Sequence, residues 1–181
     1  MSMKEIMQSK ITFARKDLYK NTAFLSFLIN AVFLLMVILF CDMKYEVSDD
    51  FIVDSVLSGA YGNGYDEHLL FSNIIYGIFL KQLYKAIPVV SWYFVFQIAI
   101  CFCSLWAVTY IVLSRNDLPI GIFLSIIFVS FFSDDVYILV QFTKTAAIAT
   151  CAGGALILSE YWKKNKRNKL VIFLGIFLTL V

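Results

Sequence analysis

The stretch NTAFLSFLINAVFLLMVILFC, residues 21–41, decides what kind of chain this is. It holds no charged side chain and is long enough to span a bilayer, which takes about 20 mostly apolar residues. The rest of the chain agrees with it. Apolar residues make up 61% of the 181 residues and charged residues 15%, against roughly 45–50% and 25% in an ordinary soluble domain. A small globule has too little interior to hide that much apolar surface. The composition excludes a disordered chain, a disulfide scaffold, a nucleic-acid module and most water-soluble enzymes. The expected fold is all-α, a polytopic integral membrane protein whose main partner is the lipid bilayer.

Further spans follow outward from the first. Residues 86–114 carry no charge, and the second span is placed at 89–114. A third is read at 118–133 and a fourth at 136–159, with Lys144 as its one interruption. Residues 170–181 begin a fifth and stop after 12 residues. Nothing polar ends that run, so the chain is read as the N-terminal part of a longer polytopic protein.

Charge sets the expected orientation. Of 15 basic residues, 11 fall in residues 4–20, at Arg115, or in residues 163–169. Residues 42–67 hold seven acids and one base. Basic loops stay in the cytoplasm. Residues 1–20 and 160–169 are therefore assigned inside and the loop 42–88 outside, in the plasma membrane. Residues 69–86 are apolar at helical spacing, with Asn73, Gly77, Lys81 and Lys85 as a polar stripe four apart. If this segment crossed the membrane, the basic block at 163–169 would land outside. It is therefore read as an interfacial amphipathic helix, ended by Pro88.

The residues that could carry chemistry lie in the outer loops. Asp49-Asp50 follows Ser48, read as an N-cap, and opens a short helix that stops near Gly59. Acids in a first turn favour the helix dipole. They also suit a general base, or a hard cation that prefers oxygen ligands. Asp134-Asp135, read as a tight turn, forms a second acidic pair on the same side, and the two pairs are expected to converge. A divalent metal ion is the cofactor such a set would take, with Asp50, Asp134 and Asp135 as ligands. His68, the only histidine, follows Asp66-Glu67. Lys144 lies eight residues into the fourth span as read here, roughly 12 Å deep at 1.5 Å per residue. Gln141 shares its face. Charges inside a membrane usually face a cavity or a partner, so Lys144, Gln141, Lys81 and Lys85 are candidates to hold a lipid phosphate. The run Gly59-x-x-Gly62-x-Gly64 lacks the βαβ setting of a dinucleotide fingerprint. The four cysteines have no metal-ligand spacing.

The string Ser48-Asp49-Asp50-Phe51, Ser58-Gly59-Ala60-Tyr61-Gly62, Asp66-Glu67-His68, Leu83-Tyr84, Pro88 and Trp92-Tyr93 resembles the GT-C superfamily of membrane glycosyltransferases. Within that group it is similar to bacterial members that serve surface-polysaccharide synthesis. The resemblance implies a polyprenyl-phosphate-linked sugar donor, a glycan acceptor and no nucleic acid. It implies that Asp49 or Asp50 is the catalytic base and that Asp134 or Asp135 assists; His68 and the lysines, read from their own positions, are the candidates to meet substrate. Two other readings fit the same composition. One is a transporter or flippase whose path is lined by Lys144 and the acidic pairs. The other is a polymerase-type or structural membrane protein of a polysaccharide locus.

Overall fold

The structure, a computed structural model, describes residues 3–62, 64–69, 73–163 and 167–180; of residues 3–21 only the helical backbone is described. Leu70, Phe71, Lys164 and Lys166 of the sequence reading, with the side chains of the N-terminal basic segment, lie outside the described residues. The chain is mostly helical: α1 (Met3–Phe40), α2 (Ser48–Leu57), α3 (Ile74–Ala86), α4 (Trp92–Arg115), α5 (Leu118–Ser133), α6 (Phe142–Tyr161) and α7 (Lys169–Leu180). Two short strands, β1 (Lys44–Tyr45) and β2 (Leu139–Val140), pair in parallel, Lys44 opposite Leu139 and Tyr45 opposite Val140.

Among the described residues, four helices are long and apolar enough to cross a membrane: Thr22–Phe40, Trp92–Arg115, Leu118–Ile138 and Phe142–Tyr161. The central one is α4, which packs against α1, α5 and α6, while α6 carries α7 on its other side. The α4–α6–α7 core is built from Ile100, Ala107, Tyr110, Ala149, Ala152, Leu156, Val171 and Leu178. The small residues matter there. A Cβ added to Gly153 would lie 2.5 Å from the carbonyl oxygen of Gly175, so the two backbones approach as close as glycine allows. Between α1 and α4 polar bonds sit among apolar contacts such as Phe27 against Phe102 and Val37 with Leu105. Asn30 donates to the Ser26 carbonyl and to Thr109 Oγ1, both at 2.8 Å, and the Trp106 indole donates to the Ala23 carbonyl. Polar groups of this kind join helices where the surroundings offer no water. The outward faces stay apolar, with Phe24, Leu39, Phe40, Phe123 and Phe131 all exposed.

Three elements fall elsewhere than the sequence suggests. The break after the third long helix is not at Ser133-Asp134-Asp135. There the helix widens into a π-helical turn, Asp134–Ile138, and the break comes at residues 139–141. The extra residue in the turn lets Val136 and Tyr137 face the core while Asp134 and Asp135 stay exposed. Leu139 and Val140 then leave the helix because β1 offers them a strand partner.

The second shift is in the segment between α1 and α4. The expected helix over 69–86 starts at Ile74, capped by the Asn73 side chain, which accepts from the Ile75 N–H at 2.9 Å. The stripe Asn73, Gly77, Lys81 and Lys85 does not face water throughout. Gly77 is buried, because residues 65–69 fold back over α3 and the Glu67 carbonyl lies where a Cβ would go. Lys81 pairs with Glu67, and Lys85 alone of the two lysines is exposed. Ile74, Ile75, Ile78 and Phe79 form the exposed apolar face. Third, α2 begins one residue early. Its N-cap is Val47 rather than Ser48, and no side chain caps it.

Candidate functional site

The segment between α1 and α4 is held as a cap over one end of the long helices, and α2 is its keystone. Apolar residues of α2 and α3, namely Val53, Leu57, Leu80 and Tyr84, close on Tyr93 at the start of α4. Two acids one helical turn apart point from α2 into this contact. Asp54 accepts from three hydroxyls: Tyr45 of β1 at 3.0 Å, Ser91 before α4 at 2.7 Å, and Tyr84 of α3. Burial first, and then the neighbouring Asp54 carboxylate, pushes the Tyr45 phenol far above its ordinary range, although the Ser91 hydrogen bond opposes this. Tyr84 is raised in the same way by burial and by its hydrogen bond to Asp54. Both tyrosines therefore remain donors at any physiological pH.

Asp50 is fully buried, at 0% exposure. Its Oδ1 accepts from the Tyr93 hydroxyl at 2.8 Å, Gln97 Nε2 at 3.2 Å and the Phe142 N–H at 3.2 Å. The Phe142 N–H is also 3.3 Å from Oδ2. From Gln97 the chain of contacts runs inward: Thr145 Oγ1 donates to Gln97 Oε1 at 3.2 Å and sits 3.5 Å from Cys101 Sγ. Asp49, its neighbour, is exposed.

Beside this network opens a cleft of about 630 Å³. Glu46, Asp135, Gln141, Thr143 and Lys144 give it polar walls, and Phe132, Val136 and Ile148 an apolar one. The two sides meet through the strand pair, which the Glu46 N–H extends by donating to the Val140 carbonyl at 2.9 Å. Lys144 is not deep in a span. It is the third residue of α6, and its ammonium pairs with Glu46 at 2.7 Å. The shift in depth follows from the later break between the two long helices.

The sequence candidates thus separate. Gln141, Lys144 and Asp135 share the cleft. The two acidic pairs do not converge as pairs: Asp50 lies behind the cleft under Phe142, Asp134 is exposed outside its lining, and Asp135 is the one acid of the four in it. As metal ligands, Asp50 does not fit, because neutral donors already occupy its oxygens. Asp135, Glu46 and the oxygens of Gln141 and Thr143 are hard donors facing one space. Three residues escaped the sequence reading. They are Asp54, Glu46 and Glu160, the last a buried acid held by Lys163 and by the Asn168 N–H at 2.8 Å. A signal did exist for Asp54, which lies on the Asp50 face of α2.

His68, Asp66 and Glu67 form a separate group at the rim, with ligand atoms within 4.8 Å of one another. His68 is 73% exposed and 2.7 Å from Asp66, and Glu67 is taken by Lys81. The backbone and ring of His68 hold Asp66 below the ordinary carboxylate range. The hydrogen bond from Lys81 does the same for Glu67. A carboxyl with a depressed folded pKa stabilises its contacts above its unfolded pKa, and loses that contribution as pH falls through the folded value. Amide exchange in residues 65–69 is therefore expected to speed up below about pH 4, near the unfolded Glu pKa, after correction for intrinsic rates. Glu67→Gln should remove most of that acid response. A response that survives in Glu67→Gln would show that the Lys81 tie is not its source.

Comparisons with family models, with curated proteins and with solved structures give no match to this chain.

Proposed function

We propose that this chain is a polytopic protein of the plasma membrane with its N-terminus in the cytoplasm. We read it as a glycosyltransferase unit that uses a polyprenyl-phosphate-linked sugar in cell-surface polysaccharide or glycan synthesis. The observation that carries this reading is the placing of an acid-bearing helix against a half-apolar cleft. Glu46 of the cleft lies three residues before Asp49, and Phe142, bonded to Asp50, lies between cleft residues Gln141 and Thr143. The exposed apolar faces of α2 and α3, with Phe51, Ile52, Ile75, Ile78 and Phe79, suit a cap lying in the membrane interface. The resemblance of Ser48–Phe51 and the following motifs to GT-C enzymes points the same way.

The chemistry is a displacement at C1 of the donor sugar. The acceptor hydroxyl oxygen forms the new glycosidic bond, the C1–O bond to phosphate breaks, and polyprenyl phosphate leaves with the electron pair. An acid at the start of α2 takes the hydroxyl proton. Lys144 meets the phosphate, exchanging Glu46 for it, while Phe132, Val136 and Ile148 face the first isoprene units.

Membranes holding the protein should move radiolabelled sugar from a polyprenyl-phosphate donor into glycan. Lys144→Ala should raise KM for that donor by about 10–100-fold, the worth of a lost hydrogen bond to a charged group. Absence of transfer by the unaltered protein would remove the enzyme reading, and an unchanged KM would remove Lys144 from the donor site.

A further inference from the structure

The two acids at the start of α2 differ in kind, and the difference assigns them different work. Asp50 sits at the N-terminus of another helix. Phe142 is the first residue of α6, and its N–H is among the orphan donors that no helix carbonyl can satisfy. Gln141 at the N-cap position offers no side-chain bond there. The carboxylate of Asp50 supplies the acceptor from 92 residues away and places negative charge at the positive end of the α6 dipole. Its other donors, Tyr93 and Gln97, come from α4. One buried side chain thus ties α2, α4 and α6 together at the back of the cleft.

We propose that Asp50 is a positioning residue. It caps α6 from outside and fixes Gln141, Thr143 and Lys144 relative to α2, and it leaves Asp49 as the one acid of the pair that substrate can reach. The assignment of Asp49 rests on the transferase reading; the capping role of Asp50 does not.

Nearly all of its hydrogen bonds converge on Oδ1. An asparagine offers the same single carbonyl oxygen, so the conservative change keeps the cap, whereas a general base loses its function on that change. The test uses Asp50→Asn and Asp50→Ala in the full chain, with two readouts. Hydrogen–deuterium exchange of the peptide covering residues 139–146 reports the cap directly. It should rise about tenfold or more at Phe142 in Asp50→Ala, the scale of a lost charge-assisted hydrogen bond, and much less in Asp50→Asn. Sugar transfer should fall no more than about tenfold in Asp50→Asn, well short of the 10²–10⁴ of a lost base, and collapse in Asp50→Ala. Unchanged exchange in Asp50→Ala overturns the capping role whatever the activity does. Transfer abolished in Asp50→Asn with exchange preserved makes Asp50 the base and overturns the division of roles. A protein with no transfer at all removes the transferase reading and leaves the exchange result to decide the cap.

Discussion

Asp49→Asn is expected to abolish sugar transfer while the protein still folds, inserts and keeps its melting temperature to within about 4 °C. Asn has nearly the shape of Asp and can hydrogen-bond, but it takes up no proton at neutral pH. General-base assistance is typically worth about 10²–10⁴ in rate. Asp49 is exposed in the first turn of α2, and among the described side chains no hydrogen bond or ion pair to it is seen. Its structural worth is then the dipole contribution of a surface acid, about 0.3–1 kcal/mol. The two roles differ in what they spare. A structural acid would cost a little stability and leave turnover. Near-normal glycan synthesis by Asp49→Asn would take away the main reason for reading an enzyme here, and transport would become the leading function.

Asp54→Ala should do the reverse, loosening the cap at large cost. Three hydroxyls from β1, α3 and the α3–α4 junction converge on this carboxylate. Hydrogen bonds to a charged group contribute about 1.5–3 kcal/mol each. Water can reach part of this partly buried site and the contributions are not additive, so a net loss of about 2–4 kcal/mol is expected. Proteolysis and amide exchange between residues 44 and 91 should rise, with the α6–α7 region unaffected. A variant as protected as the parent would show that the apolar contacts of Val53, Leu57 and Leu80 hold the cap alone. In the sequence Asp54 stands only as an acid one helical turn beyond Asp50. What the sequence cannot show is that Tyr45, Tyr84 and Ser91, spread over 47 positions, meet at that one side chain.

The same limit runs through the chain. The long apolar helices are legible because composition and charge-free length are local properties, and the apolar stretch Thr22–Phe40 and the helix Trp92–Arg115 fall close to where those properties put them. The end of α5 is not legible. Two adjacent aspartates read as a water-facing turn, yet a π-helical turn carries both on an exposed edge and keeps the helix going. The true break depends on β1, about 95 residues earlier along the chain. Lys144 stands out in the sequence as a charge in an apolar run, but the depth expected for it depends on that misplaced break. Its partner Glu46 lies in a segment with seven acids, none marked by spacing as the one that meets it. Asp50 likewise looks the same as Asp49 in sequence. Only the packing of α4 and α6 around α2 separates a buried cap from an exposed acid.

Every role proposed for Asp49, Lys144 and the cleft requires the cap to face outward and the basic end to face the cytoplasm. The direct test is accessibility to a membrane-impermeant thiol reagent, in a cysteine-free background, on intact cells. Tyr61→Cys lies in the cap, Asn116→Cys just past α4, and Trp162→Cys just past α6, all at exposed positions. The expected result is labelling at residue 61 from outside, with residues 116 and 162 protected until the membrane is permeabilised. Labelling of 116 or 162 on intact cells, or protection of 61, would contradict it.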